Sequence, residues 1–392
     1  MQFMMSLCLT LLVFSTQGAV EFQERKTWAF DEDGVSISNE FPTARISDCK
    51  RLGKGSYEIV IKPENSPVNR SPWYGFRVWA KGDQEITVRL QYVKALHRYH
   101  PKVQNGDGRW TPLAKSKVSV SPKQSTATLT LDVGPKPLWV SAQEHIDGDD
   151  FETWINDLDP AMPIQRFDVG KSKGGRQIGG FTFGNGNATD WIVIIGRQHP
   201  PEVTGTLGLM AFVNRLVSST KQMKKLRERY GVLVIPFVNP DGVHEGHWRH
   251  SFAGVDLNRD WLNFVQPETR QVRDAILERT IKKGHKVALF MDFHSTRRDI
   301  FYTQKDEHPT RPKDFTKKWL KAIGERFPKY RVNRSGSHSP TSNVSKGWAY
   351  RTFGCPSITY EFGDETNRDL LTEITQGAAD EMAALFLSWS GE

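Results

Sequence analysis

Trp191-Ile-Val-Ile-Ile195 is a continuous apolar run, and after three intervening residues stands His199-Pro200-Pro201-Glu202. A run this short and this apolar reads as a strand buried on both faces, as in a parallel sheet. Pro200 keeps His199 out of helical geometry, and Pro201 suits the first position of a helix. Past the prolines, Val203, Leu207, Met210, Val213 and Val217 recur at helical spacing. The stretch therefore predicts strand, turn and helix. A His and a Glu three apart at such a turn can converge on one metal ion.

The rest of the C-terminal half repeats this grammar. Val232–Ile235, Val287–Phe293 and Pro356–Glu361 are further apolar runs, and residues 268–283, 313–327 and 370–388 have helical character. Strands alternating with helices predict an α/β domain with its functional residues at strand ends. His294 follows the third run and supplies a third candidate ligand. Two His and one Glu, with a fourth position left open, is a catalytic zinc set. Alone, the H-x-x-E pair is weak, since a surface His beside a helix-start Glu is common.

The N-terminal half reads differently. Tyr57–Lys62, Trp73–Trp79, Glu85–Gln91 and Thr126–Asp132 alternate apolar and polar residues between Gly, Pro, Asn and Asp clusters. This predicts a small antiparallel β-sandwich over residues 20–148, with Asp147–Asp150 as the junction to an α/β domain over 149–392. At 392 residues the chain is long enough for two cores. Met4–Phe14 is apolar and is followed by small and polar residues up to Ala19, so residues 1–19 read as a signal peptide and the chain as exported, periplasmic or extracellular. No later segment is long and apolar enough to span a bilayer, which excludes stable membrane insertion after signal removal. Export would permit a Cys49–Cys355 disulfide; two separate buried thiols is the other reading. The formal charge of +8 is spread along the chain. It is a mild bias toward acidic partners, and no nucleic-acid-binding motif accompanies it.

Asn239-Pro-Asp-Gly242 follows the second apolar run and leads through His247-Trp-Arg249 to Gly254-Val-Asp-Leu-Asn-Arg-Asp260. With His199, Glu202, His294 and Glu361 in order around it, the chain resembles a zinc carboxypeptidase of the M14 type. The short spacing from Arg249 to Asn258-Arg259, and the N-terminal sandwich with its Phe76-Arg-Val-Trp79 strand, are most similar to the cytosolic-carboxypeptidase branch. Gly170–Ile178 also resembles a segment that precedes H-x-x-E in that family. The resemblance covers about residues 25–385.

The resemblance implies a mixed-sheet carboxypeptidase domain, one Zn2+ on His199, Glu202 and His294, and a peptide or protein C-terminus as substrate. It implies Glu361 as general base, Arg249 as oxyanion partner, and Asn258 and Arg259 as holders of the terminal carboxylate. On gap-free spacing, Lys346 falls where the family's primary pocket selects the C-terminal side chain, which predicts a preference for Asp or Glu; Arg297 and Arg298 would strengthen it. The family's substrate-contacting Tyr is missing at the spacing that lands on Ser339, with Tyr302 and Tyr350 as possible substitutes. His244, His247 and His250 are read as exposed imidazoles on a loop near the cleft. Two alternatives stand beside this reading: an aspartoacylase-like deacylase of N-acyl amino acids, and a non-catalytic glycan- or protein-binding protein. Oligomeric state is not legible.

Overall fold

The four apolar runs form the parallel centre of one eight-stranded mixed sheet. Asp190–Gly196 runs parallel to Gly231–Ile235 on one side and to Lys286–Thr296 on the other, and Lys286–Thr296 runs parallel to Ser357–Gly363. The hairpin of Gln165–Lys171 and Gln177–Gly184 extends one edge antiparallel. Ile300–Tyr302, antiparallel to Ser357–Gly363, and then Arg334–Ser335 extend the other. The computed structural model describes residues 18–336 and 341–389. The Met4–Phe14 run and Ser339 lie outside them.

Helices cover both faces of this sheet, which is why its central strands carry long apolar runs. Val203–Val217, Lys221–Arg229, Phe315–Arg326 and Arg368–Ser388 enclose one core, in which Phe212, Leu216, Trp319, Tyr360, Met382 and Phe386 are fully buried. Pro267–Arg279 and Ser345–Phe353 close the opposite face over Ile195, Leu233, Phe290 and Trp261. Among the described residues no helix is long and apolar enough to cross a membrane.

The N-terminal region is a two-sheet sandwich. One sheet pairs Thr27–Phe30, Val35–Ser38, Gly75–Ala80, Leu138–Ser141, Lys102–Gln104 and Thr111–Pro112 in that order; the other pairs Asp48–Gly53, Ser56–Ile61, Gln84–Tyr92, Thr126–Val133 and Val118–Val120. It is not purely antiparallel as expected, because Ser56–Ile61 runs parallel to Gln84–Tyr92. Gly75–Ala80 lies between them in sequence but belongs to the facing sheet. The chain therefore crosses the sandwich and returns in its original direction. Asp147 caps the Gly148–Asn156 helix with a capping box to Asp150 at the exit.

Cys49 and Cys355 are both free and buried. Burial pushes each thiol up to about 12, so neither is poised to react.

The two layers share a seam. Val203 and Trp248 are fully buried as part of the sandwich's own hydrophobic cluster, although both belong to the α/β half. The Trp248 indole donates to Trp73 O at 3.2 Å.

Candidate active site

The metal-ligand turn is built as the prolines dictate, with one shift. The helix begins at Val203 with Glu202 as its cap residue, two positions later than Pro201 suggests. Glu202 cannot join the helix because its backbone turns its carboxylate back toward His199 and His294. Arg197 braces the turn from beneath. It is 1% exposed, donates to Pro200 O at 3.1 Å and to Thr206 Oγ1 at 2.9 Å, and holds a φ of 52° that a non-glycine residue adopts only under constraint. Gly205 is required one turn on: a Cβ there would sit 2.5 Å from His294 O. This is how the helix comes close enough for both histidines to reach one point.

The buried His199, Glu202 and His294 have ligand atoms within 4.8 Å of one another. His199 Nδ1 lies 2.8 Å from one Glu202 oxygen, His294 Nδ1 lies 2.6 Å from the other, and the two Nδ1 atoms are 3.2 Å apart. Behind them, His199 Nε2 faces Asp256 Oδ1 at 3.0 Å, and His294 Nε2 faces Asp292 Oδ2 at 2.8 Å. Carboxylates can only accept, so both Nε2 atoms carry protons and both Nδ1 lone pairs point at one spot beside a carboxylate. Such a donor set requires a cation, and two imidazoles with one carboxylate suit zinc. Without one, the site attracts protons instead. Burial opposes the charged His294, but Asp292 and Glu202 outweigh it and hold the imidazole well above its ordinary range.

Glu361 stands on the same rung of the sheet as His294, one strand over. Burial, and after it the charge of Glu202, raise it to about 7. A carboxyl raised from 4.5 in the unfolded chain to about 7 in the fold binds more protons folded than unfolded across that window. Stability therefore falls as pH rises through it. In zinc-free protein, Glu361→Gln should melt above wild type near pH 8, and the gap should close below about pH 4. Equal melting at about pH 8 would mean Glu361 is well solvated.

Arg249 is 8% exposed. Its Nε donates to Asp256 Oδ2 at 2.7 Å, and one terminal nitrogen lies 3.5 Å from Glu202 Oε1. Asn258 Oδ1 accepts from Ser345 N at 2.9 Å, and Asn258 Nδ2 lies 3.3 Å from His294 Nε2. Arg259 is exposed; it donates to Asn258 O at 2.7 Å and pairs with no carboxylate among the described residues. These residues line one polar cleft of about 320 Å³ together with Asn69, Ser71 and Arg98 from the sandwich and Tyr302 from the sheet edge. Lys346 does not line it. It is 1% exposed in the Ser345–Phe353 helix, its ammonium donates to Thr303 O at 3.0 Å, and burial lowers it to about 8. Tyr350 donates to Pro309 O, away from the metal ligands.

Asn239-Pro-Asp-Gly242 is a short helix, Pro240–His244, and not a plain turn. Asn239 accepts from Gly242 N at 3.0 Å and donates to Gln198 O at 3.0 Å, tying this segment to the ligand turn. Asp241 accepts from Gly174 N and from Arg176, which accounts for the Gly170–Ile178 segment. His247 and His250 are buried, contrary to the expectation of exposed imidazoles, because the sandwich closes over them. Sequence reasoning gave no role to Asp256, Asp292, Glu64 or Arg98. Asp292 had a signal, since a residue two before a strand ligand shares its face.

Fold and site together place one buried His-Glu-His metal site at the strand ends of an α/β scaffold. The family model for zinc carboxypeptidases matches residues 151–381, and the chain belongs to that family, M14. It is 36% identical over 114 residues to mouse (Mus musculus) cytosolic carboxypeptidase 4, which covers 28% of this chain and 10% of that protein. It is 32% identical over 107 residues to mouse cytosolic carboxypeptidase 6, covering 26% of this chain and 20% of that protein. The matched segments are thus a small part of those relatives. Among solved structures, a metallo-carboxypeptidase from Burkholderia cenocepacia superposes with a TM-score of 0.72 at 19% identity over 90% of this chain and 98% of that one. One from Pseudomonas aeruginosa, in complex with (2-guanidinoethylmercapto)succinic acid, gives 0.73 at 19% over 89% and 98%. At that identity the likeness concerns the fold, and it spans the sandwich as well as the α/β half.

Proposed function

We propose that this protein is an exported zinc carboxypeptidase that removes C-terminal residues, preferentially Glu or Asp, from peptides or proteins. The observation that carries the reading is one cleft holding a cation-demanding donor set, a carboxyl raised to about 7 one strand away, and three arginines. His199, Glu202 and His294 would hold zinc, which when bound would supply Lewis-acid polarisation of the scissile carbonyl and acidify water. Glu361 takes the water's proton and delivers it to the leaving amine. Arg249 donates to the developing oxyanion, a contribution of roughly 3 kcal/mol for one such donor. Arg259, exposed and without a carboxylate partner among the described residues, pairs with the substrate's terminal carboxylate beside Asn258.

An acidic preference is supported by cations around the cleft. Arg70, Arg297, Arg298 and the Asp364-paired Arg98 border a continuation of it that shares Asn69, Thr296 and Tyr302, whereas Lys346, bonded to Thr303 O, lines neither. Export rests on the apolar Met4–Phe14 run, and amino-terminal sequencing of the mature protein tests it.

The test of function is release of C-terminal amino acids from a peptide library by zinc-loaded protein, with N-acetylaspartate assayed in parallel. Glu and Asp should be released fastest. Replacing Arg297 and Arg298 together by Ala should narrow the advantage of acidic over neutral residues by roughly tenfold, the size of one modest charge interaction. N-acetylaspartate cleavage without peptide cleavage would favour a deacylase. No release from any peptide would leave a binding protein.

A further inference from the structure

Arg249 must hold its guanidinium beside the metal ligands, yet it lies on an irregular stretch between the Pro240–His244 helix and Gly254. Its immediate neighbours point the other way. The indole of Trp248 is fully buried in the sandwich cluster, and His250 Nδ1 lies 2.6 Å from Asn65 Oδ1. Three consecutive N–H groups of this stretch converge on one side chain from the other domain. Glu64 Oε2 accepts from Trp248 N at 2.8 Å, and Glu64 Oε1 accepts from Arg249 N at 3.0 Å and from His250 N at 2.8 Å. Glu64 is fully buried. Burial opposes its charge, but His247, Arg45 and His250 outweigh that and keep it below the ordinary carboxylate range. Asn65 completes the clamp by donating to Gly254 O at 2.9 Å.

From this geometry we infer that Glu64 is a positioning residue for the reaction: the sandwich, through it, fixes the Arg249 backbone so that the guanidinium meets the oxyanion. Charge-assisted bonds to backbone N–H groups are about twice as strong as neutral ones. Satisfying three donors from a separate domain makes the loop's conformation depend on domain contact. A catalytic role for the α/β half alone would leave these donors without their acceptor. The sandwich is therefore part of the active site.

The inference rests on the proposed role of Arg249, and a double-mutant cycle on the full-length, zinc-loaded chain separates the two. Arg249→Ala alone tests the oxyanion role; wild-type kcat in that variant overturns the role and the inference with it. Glu64→Gln presents an amide N–H2 to one or more of the three donors. It should lower kcat by roughly 10- to 100-fold, up to the loss from removing an oxyanion donor, with KM within about threefold and zinc content unchanged. In the Arg249→Ala background the same change should alter kcat by less than about threefold, because both act through one group. Equal fold losses in both backgrounds would mean a general structural defect and would overturn it. Hydrogen exchange on metal-free protein gives a second readout: amides 248–250 should lose protection in Glu64→Gln while the central sheet keeps its own. Retained protection there overturns the inference. If Glu64→Gln does not fold, Asn65→Ala, which frees the same segment from one side, carries the cycle. Non-additivity with Arg249→Ala then supports the inference, and additivity defeats it.

Discussion

Glu361→Gln should retain one zinc per chain and lose roughly 10²- to 10⁴-fold in kcat, the range assigned to a positioned general acid–base. The side chain is isosteric, and the outer partners of the ligands are Asp256 and Asp292, which the change leaves in place. What is lost is the proton acceptor. Burial and Glu202 raise this carboxyl to about 7 in the metal-free site; as a carboxylate it can accept the proton, whereas an amide cannot accept it at all. The loss should appear equally in kcat and kcat/KM, since the interaction is made in the transition state. Zinc content by metal analysis and turnover on a C-terminal glutamyl peptide check it. Near-normal turnover with zinc bound would reassign the base. Turnover lost together with zinc would mean that Glu361 holds the metal site.

The residues of that experiment were legible because each carries a local signal. His199 and Glu202 follow an apolar strand through two prolines, and His294 and Glu361 lie near the C-terminal ends of two others. The parallel centre of the sheet was legible for the same reason, since burial on both faces writes an unbroken apolar run. What joins the halves was not. Glu64 reaches Arg249 across 185 positions, and Arg98 reaches Asp364 across 266. Neither sits in a periodic pattern that points to its partner. His247 and His250 were misread for that reason: a polar loop looks exposed until another domain is known to cover it. The parallel Ser56–Ile61 to Gln84–Tyr92 pair was hidden likewise, because alternation reports which face is buried and not strand direction. Lys346 marks a different limit, since spacing gave its position on the chain but not the carbonyl that its ammonium would find.

Asp256 is expected to show two separable losses when changed, and it received no role from sequence although it stands two residues before Asn258. Its Oδ1 accepts from His199 Nε2 and, at 2.9 Å, from Asn258 N; its Oδ2 accepts from Arg249 Nε. One carboxylate thus fixes a metal ligand's tautomer, the start of the Asn258-Arg259 segment and the oxyanion donor. Asp256→Asn keeps the volume and one acceptor but places an N–H2 against either His199 or Arg249, both of which donate. If the amide turns toward His199, zinc should be held about 10- to 100-fold less tightly, the usual cost of removing an outer carboxylate. If it turns toward Arg249, the guanidinium loses its anchor and kcat at saturating zinc should fall by about 10²-fold. Asp256→Ala removes both supports and should show both losses. Competition with a chelator measures the first, and turnover with excess zinc measures the second. Wild-type kcat for Asp256→Ala at saturating zinc would confine Asp256 to the metal. Wild-type zinc affinity with a depressed kcat would confine it to Arg249. Both losses together would identify Asp256 as the point where metal binding and oxyanion stabilisation are joined.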